Sequence, residues 1–175
     1  SSCTNYGTIH GVNGYNVGGI AGYIGSGGTI ESCNNKYSSS STYIVGSENV
    51  GGIVGTYAYA TTLKSCSNST SVYGGYRVGG IVGYMYGNQP IYNVTNTGNV
   101  WCTGTSAGKN ISYTYTTSDG YKLTTLDIGL VGIGGIVGWC EGSINGATNS
   151  GSVGVKDLTN VTNSISSISF NALHS

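Results

Sequence analysis

Val17-Gly18-Gly19-Ile20-Ala21-Gly22-Tyr23 returns as Val50-Gly51-Gly52-Ile53-Val54-Gly55-Thr56. It returns again as Val78-Gly79-Gly80-Ile81-Val82-Gly83-Tyr84 and as Ile133-Gly134-Gly135-Ile136-Val137-Gly138-Trp139. A second block accompanies it: Ser2-Cys3-Thr4-Asn5, Ser32-Cys33-Asn34-Asn35 and Ser65-Cys66-Ser67-Asn68, with weaker copies at Asn93-Val94-Thr95-Asn96-Thr97-Gly98 and Gly146-Ala147-Thr148-Asn149-Ser150-Gly151. Asn5-Tyr6-Gly7-Thr8-Ile9 is matched by Asn96-Thr97-Gly98-Asn99-Val100 and by Asn149-Ser150-Gly151-Ser152-Val153. The unit is therefore strand, turn, strand, turn in about 30 residues. β-branched and aromatic residues mark its strands, and Gly, Asn and Ser mark its turns. No long apolar stripe of period 3.6 is written anywhere, so the fold class is all-β.

A unit this small cannot bury its own apolar face, whereas stacked copies can. The expected architecture is a β-solenoid (β-helix) of about 4–5 rungs, each rung roughly 4.8 Å above the last. Equivalent residues then form inward columns: Ile20, Ile53, Ile81 and Ile136 in one, Ile30, Leu63, Ile91 and Ile144 in another. A β-sandwich is the competing way to use short strands and Gly turns, and repeat identity favours the solenoid.

Composition narrows the function. The chain has 32 glycines but a single proline, Pro90, which excludes collagen, and its Ile, Val and Tyr content argues against disorder. Six Lys and Arg against six Asp and Glu are scattered along the chain, so no basic cluster points to nucleic acid. No apolar run reaches the roughly 18–20 residues of a membrane helix, so no membrane insertion is expected of this segment. The chain opens inside a motif, as a mature product or a piece of something longer would.

V-G-G-I-V-G-Y together with a T-I-x-x-C-x-N strand resembles the GLUG repeat, over about residues 1–155. That repeat occurs in large secreted and surface proteins, among them bacterial adhesins and the region before the catalytic domain of some immunoglobulin A1 proteases. The resemblance implies an extracellular or cell-surface β-solenoid and implies no chemistry. Two features depart from it: a long fourth repeat and a tail at 156–175 without a glycine block.

The excess of the fourth repeat lies near 100–128. Within it Ile111, Tyr113 and Tyr115 alternate with polar residues, and Ser118-Asp119-Gly120 precedes Tyr121-Lys122-Leu123. Asp-Gly between alternating runs predicts a β-hairpin. Tyr113, Tyr115 and Tyr121, with Trp101, are candidate sugar-binding platforms, or else cover for the solenoid face. The tail alternates Ile165, Ile168 and Phe170 with serines, as a cap on the last rung or an inter-subunit strand would.

Cys3, Cys33 and Cys66 share one repeat position, filled later by Val94 and Ala147. A site that accepts Cys, Val or Ala is small, buried and apolar, so free thiols are expected there. Cys102 and Cys140 lie outside that column and are the candidate disulfide, a clip on the insertion. Sequons at Asn68, Asn93, Asn110 and Asn160 are candidate glycosylation sites.

Neither catalytic residues nor a cofactor is indicated. His10 and His174 sit near the chain ends, and Glu31, Glu48, Asp119, Asp127, Glu141 and Asp157 occupy different repeat positions. No Cys-x-x-Cys or His-x-x-x-His spacing suggests a metal. Glu31 and Lys64 share one repeat position and read as an exposed ion pair. The expected function is an extracellular structural or adhesive module, a filament subunit or a segment of a large surface protein. Its expected partners are copies of itself end to end, or neighbouring repeats, with host or matrix glycans as further candidates. The alternatives are a carbohydrate-binding module and a β-helix polysaccharide-degrading enzyme.

Overall fold

The computed structural model describes residues 2–59, 61–103, 114–116, 122–124 and 132–155. The described chain is all-β and contains no helix. Four sheets account for the repeats. Sheet I joins Thr4–Asn5, Asn34–Asn35, Ser67–Asn68, Thr95–Asn96 and Thr148–Asn149 in that order. Sheet II holds Ile9–Gly18, Tyr43–Gly51, Ser71–Gly74, Tyr76–Gly79, Val100–Cys102, Ile133–Gly134 and Val153–Val155. Sheet III joins Ala21–Ile24, Val54–Tyr57, Val82–Met85 and Val137–Cys140. Sheet IV joins Thr29–Glu31, Thr62–Lys64, Ile91–Tyr92 and Ile144–Asn145.

All pairing in these four sheets is parallel, and each strand meets the same position of the next repeat. Ile30, Leu63, Ile91 and Ile144 are in register, as their sequence positions predict. Ile53 and Ile81 are fully buried, with Ile20 and Ile136 packed against the same cluster. Cys33, Cys66 and Val94 are buried there too, with Ala147 alongside. A second cluster lines sheet II with Val17, Ile44, Val50, Val72, Val78 and Val100. Each such fully buried aliphatic side chain contributes roughly 1.5–3 kcal/mol. An antiparallel sandwich is not what these residues build.

The asparagines of the second block, read above as turn residues, form a ladder. Asn5 donates its side-chain N–H to the Oδ1 of Asn35, Asn35 to Asn68, Asn68 to Asn96 and Asn96 to Asn149, at 2.8–2.9 Å. Each Nδ2 of Asn5, Asn68, Asn96 and Asn149 also donates to the carbonyl two residues on. Asn35, Asn68 and Asn96 are buried. A buried amide is tolerated only when its donors and acceptors are filled, and the next repeat fills them.

This ladder explains the paired glycines. A Cβ on Gly52 would run into the side chain of Asn68 and the carbonyl of Gly80, and one on Gly80 would meet Asn96 and the carbonyl of Gly135. A Cβ on Gly51 or Gly79 would strike the carbonyl of Val54 or Val82 within its own turn. Close approach of backbone and ladder is what the pair serves.

Two corners repeat in backbone conformation as well. Ser32, Ser65, Asn93 and Gly146 have φ of 55, 55, 50 and 66°, and Asn16, Asn49, Arg77 and Gly132 have 57, 52, 50 and 78°. A left-handed conformation costs an ordinary residue roughly 1–2 kcal/mol, less for Asn, so its recurrence at one place per repeat marks a fixed bend.

The extra residues of the fourth repeat enter at one point of sheet II. Val72–Gly74 pair with Val100–Cys102, and Val78–Gly79 pair with Ile133–Gly134. Where the third repeat crosses with Gly75, Tyr76 and Arg77, the fourth runs from Thr103 to Gly132. Within that excursion Thr114–Thr116 and Lys122–Thr124 pair antiparallel, in the region where the hairpin is expected. The tail at 156–175 lies outside the described residues.

Candidate functional site

Arg77 stands where the first two repeats carry Asn16 and Asn49. Its left-handed backbone bends the chain within sheet II, between Ser71–Gly74 and the end of Tyr76–Gly79, and its guanidinium falls among aromatic rings. The Cζ atom lies 4.2 Å from the ring centroid of Tyr84, 4.6 Å from Tyr76 and 5.4 Å from Trp139. Its Nη1 is 3.8 Å from the Glu48 carboxylate. Tyr84 and Trp139 occupy one register position of sheet III, which Tyr23 and Thr56 fill in the earlier repeats. Strand alternation sends that position outward.

The cluster extends further. Tyr86 lies 5.8 Å from Tyr84, and Tyr59 meets Tyr86 edge-on at 4.6 Å. Glu141 accepts a hydrogen bond from the Tyr84 hydroxyl at 3.1 Å and one from the backbone N–H of Gly87 at 3.2 Å. Burial, then the adjoining Glu141 carboxylate, pushes the Tyr84 phenol up. The Tyr59 phenol is pushed up to about 12, chiefly by its hydrogen bond with Tyr86. Both therefore stay protonated at neutral pH. Trp139 and Tyr59 remain 41 and 50 % exposed, so the rings form a surface and not a core. Aromatic faces set beside a guanidinium, a carboxylate and phenol hydroxyls suit a sugar ring, which presents C–H faces and a hydroxyl edge.

Trp101 is half-buried on sheet II, in register with Tyr73 and Gly154. Tyr115 is in the Thr114–Thr116 strand. Tyr113 and Tyr121 lie outside the described residues, as do Asn110, Asn160, Asp119, Asp127, Asp157 and His174.

The structure gives the surroundings of two further sequence candidates. Asn68 is not a surface acceptor for a glycan: it is 1 % exposed, and its Nδ2 donates to Asn96 and to the carbonyl of Thr70. Asn93 is exposed at its corner. Expression in a glycosylating host is expected to give folded protein with sugar at Asn93 and none at Asn68, read by glycopeptide mass spectrometry. Cys102 and Cys140, the candidate clip, belong to different sheets. Cys102 is buried in sheet II near the carbonyl of Gly75, and Cys140 is at the exposed end of sheet III against Met85.

The Cys3 and Cys140 thiols are exposed, and those of Cys33, Cys66 and Cys102 are buried. Burial pushes the Cys66 thiol from an ordinary value near 9.0 up to about 11. The unfolded thiol ionises first, so this group's contribution to stability is intact below about pH 9 and is lost as pH rises towards about 11. At pH 8 an alkylating reagent is expected to label Cys3 and Cys140 and spare Cys33, Cys66 and Cys102 until the chain unfolds. Mass-spectrometric counting of adducts checks this.

Among the described residues no three His, Cys, Asp or Glu side chains gather as a metal site. The carboxylates there have partners: Glu31 is 3.1 Å from Lys64, both half-exposed, a pair that contributes under about 1 kcal/mol. Comparison with family models, with curated proteins and with solved structures finds no match.

Proposed function

We propose that this chain is an extracellular structural and adhesive module, a β-solenoid of GLUG-like repeats that serves as a filament subunit or as a segment of a large surface protein. One observation carries the reading. The residues that recur from repeat to repeat are used to hold one repeat on the next: the Ile and Val columns, the Cys33–Cys66–Val94 column, the asparagine ladder and the glycines that admit it. Little of the recurring sequence is left for chemistry, and the described carboxylates are dispersed and engaged, which supports a non-enzymatic role. Electron microscopy of the native material, with gold-labelled antibody on intact cells, tests this. Rods or filaments outside the cell are expected. A compact intracellular particle would overturn the reading.

A carbohydrate-binding module is the second reading, favoured by the ring cluster around Arg77. Affinity electrophoresis in gels containing polysaccharide tests it. Trp139→Ala and Tyr84→Ala are each expected to weaken retardation at least tenfold. Retardation that survives both changes would remove this surface from the account.

A further inference from the structure

The asparagine ladder has a direction, and among the described residues nothing fills either of its ends. Each Nδ2 points toward the later repeat and each Oδ1 receives from the earlier one. At the last step Asn149 donates one N–H to the carbonyl of Gly151, and the other, the one that continues the ladder, has no partner among the described residues. At the first step the Oδ1 of Asn5 accepts from the N–H of Gly7 and has room for the amide of a preceding repeat. Asn68 shows the complete pattern, its Oδ1 accepting from both Asn35 and the N–H of Thr70.

The apolar columns end in the same two places. Ile91 and Val100 are fully buried, but their successors Ile144 and Val153 are 41 and 38 % exposed. At the opposite end Ile9, Ile20 and Ala21 are half-buried, while Ile44 and Val54, one repeat on, are fully buried. The edge strands of all four sheets lie at these ends, and among the described residues no further strand pairs with them. Lys and Pro commonly guard such edges, and residues 132–155 contain neither, with Glu141 their only charged residue.

We propose that two copies of this chain join head to tail, with Asn149 of one copy donating to the Oδ1 of Asn5 of the next and sheets I and II continuing across the junction. The contact is heterologous, so it repeats at every junction and yields an open filament. The axial step per copy is on the order of 24 Å, one strand spacing for each of the five strands of sheet I. This rests on the structural reading above and assigns its contact surface.

Sedimentation velocity of the full chain over a hundredfold concentration range, with electron microscopy at the upper end, tests the junction. The unchanged chain is expected to associate beyond a dimer. Asn149→Asp keeps the bond accepted from Asn96 but sets a carboxylate against the Asn5 oxygen of the next copy, so an at least tenfold weaker association is expected. Ile144→Lys with Val153→Lys, at exposed positions, is expected to stay monomeric with an unchanged circular dichroism spectrum. Added in small amounts to the unchanged chain, that variant is expected to shorten filaments, because its Asn5 end still docks. An unchanged chain that stays monomeric throughout overturns the junction, as does association that both variants leave intact. Association only after removal of residues 156–175 also overturns it, since the chain's own tail then covers the end. A monomer that is rod-shaped in small-angle scattering would leave the structural reading standing while this junction fell.

Discussion

Asn96→Leu is expected to lower the melting temperature by roughly 10–20 °C. Asn96 has no exposed surface, and its side chain accepts from Asn68 and donates to Asn149 and to the carbonyl of Gly98. Leucine fills similar space and meets none of these groups. The buried donor on Asn68 and the carbonyl of Gly98 then lose their partner at about 1–3 kcal/mol each, roughly 3–6 kcal/mol in all with the remaining strain. For a chain of this size each kcal/mol moves the midpoint by about 2–4 °C. Asn149→Leu, on the exposed last step of the ladder, is expected to cost under about 1 kcal/mol because water replaces its partners. Equal and small effects at the two positions, measured by circular dichroism melting, would show that the ladder does not hold the repeats together.

Gly80→Ala is expected to destabilise by about 3 kcal/mol or more, at the upper end of overpacking effects. Its new methyl group has no free space, since the carbonyl of Gly135 lies on one side and the Asn96 amide on the other. Neither is the movable end of a flexible side chain. Gly27→Ala is the control. Gly27 has φ of 78° and no neighbouring atom within 4 Å of a Cβ, so only the backbone conformation is penalised, by about 1 kcal/mol. Denaturant unfolding of the two variants is expected to separate them by at least twofold in destabilisation. A Gly80→Ala chain as stable as Gly27→Ala would mean that the ladder and its glycine column slide apart freely.

Much of the all-β pairing was legible because the repeat supplies its own alignment. Once Ile30 is set against Leu63 and Ile91, their shared register follows from equal position in equal units. The asparagine ladder was not legible in the same way. Asn is also the common residue of turns, and Asn34-Asn35 and Ser67-Asn68 look alike whether the amide faces water or the next repeat. Only burial distinguishes the two, and burial depends on neighbours about 30 residues away. The same ambiguity made Asn68-Ser69-Thr70 read as a sequon, although its position in the second block already placed it with Asn35 and Asn96. The ring cluster was missed because it draws on both sides of the glycine block, Tyr76 and Arg77 before it and Tyr84 and Trp139 after it. The available signal was a departure from the repeat: an arginine where the earlier copies carry Asn16 and Asn49.

The split strand of sheet II has a consequence for what this chain can carry. Val100–Cys102 are gripped on both sides, by Val72–Gly74 and Val153–Val155, while Ile133–Gly134 are held by Val78–Gly79. Departure and return are thus anchored separately, and neither depends on how much polypeptide lies between. Doubling the length of a flexible loop costs only about 0.6 kcal/mol in closure entropy. The gap between Thr103 and Gly132 is therefore a graft point, where a foreign epitope or a whole small domain can be exchanged for the native segment while the parallel register on either side is kept.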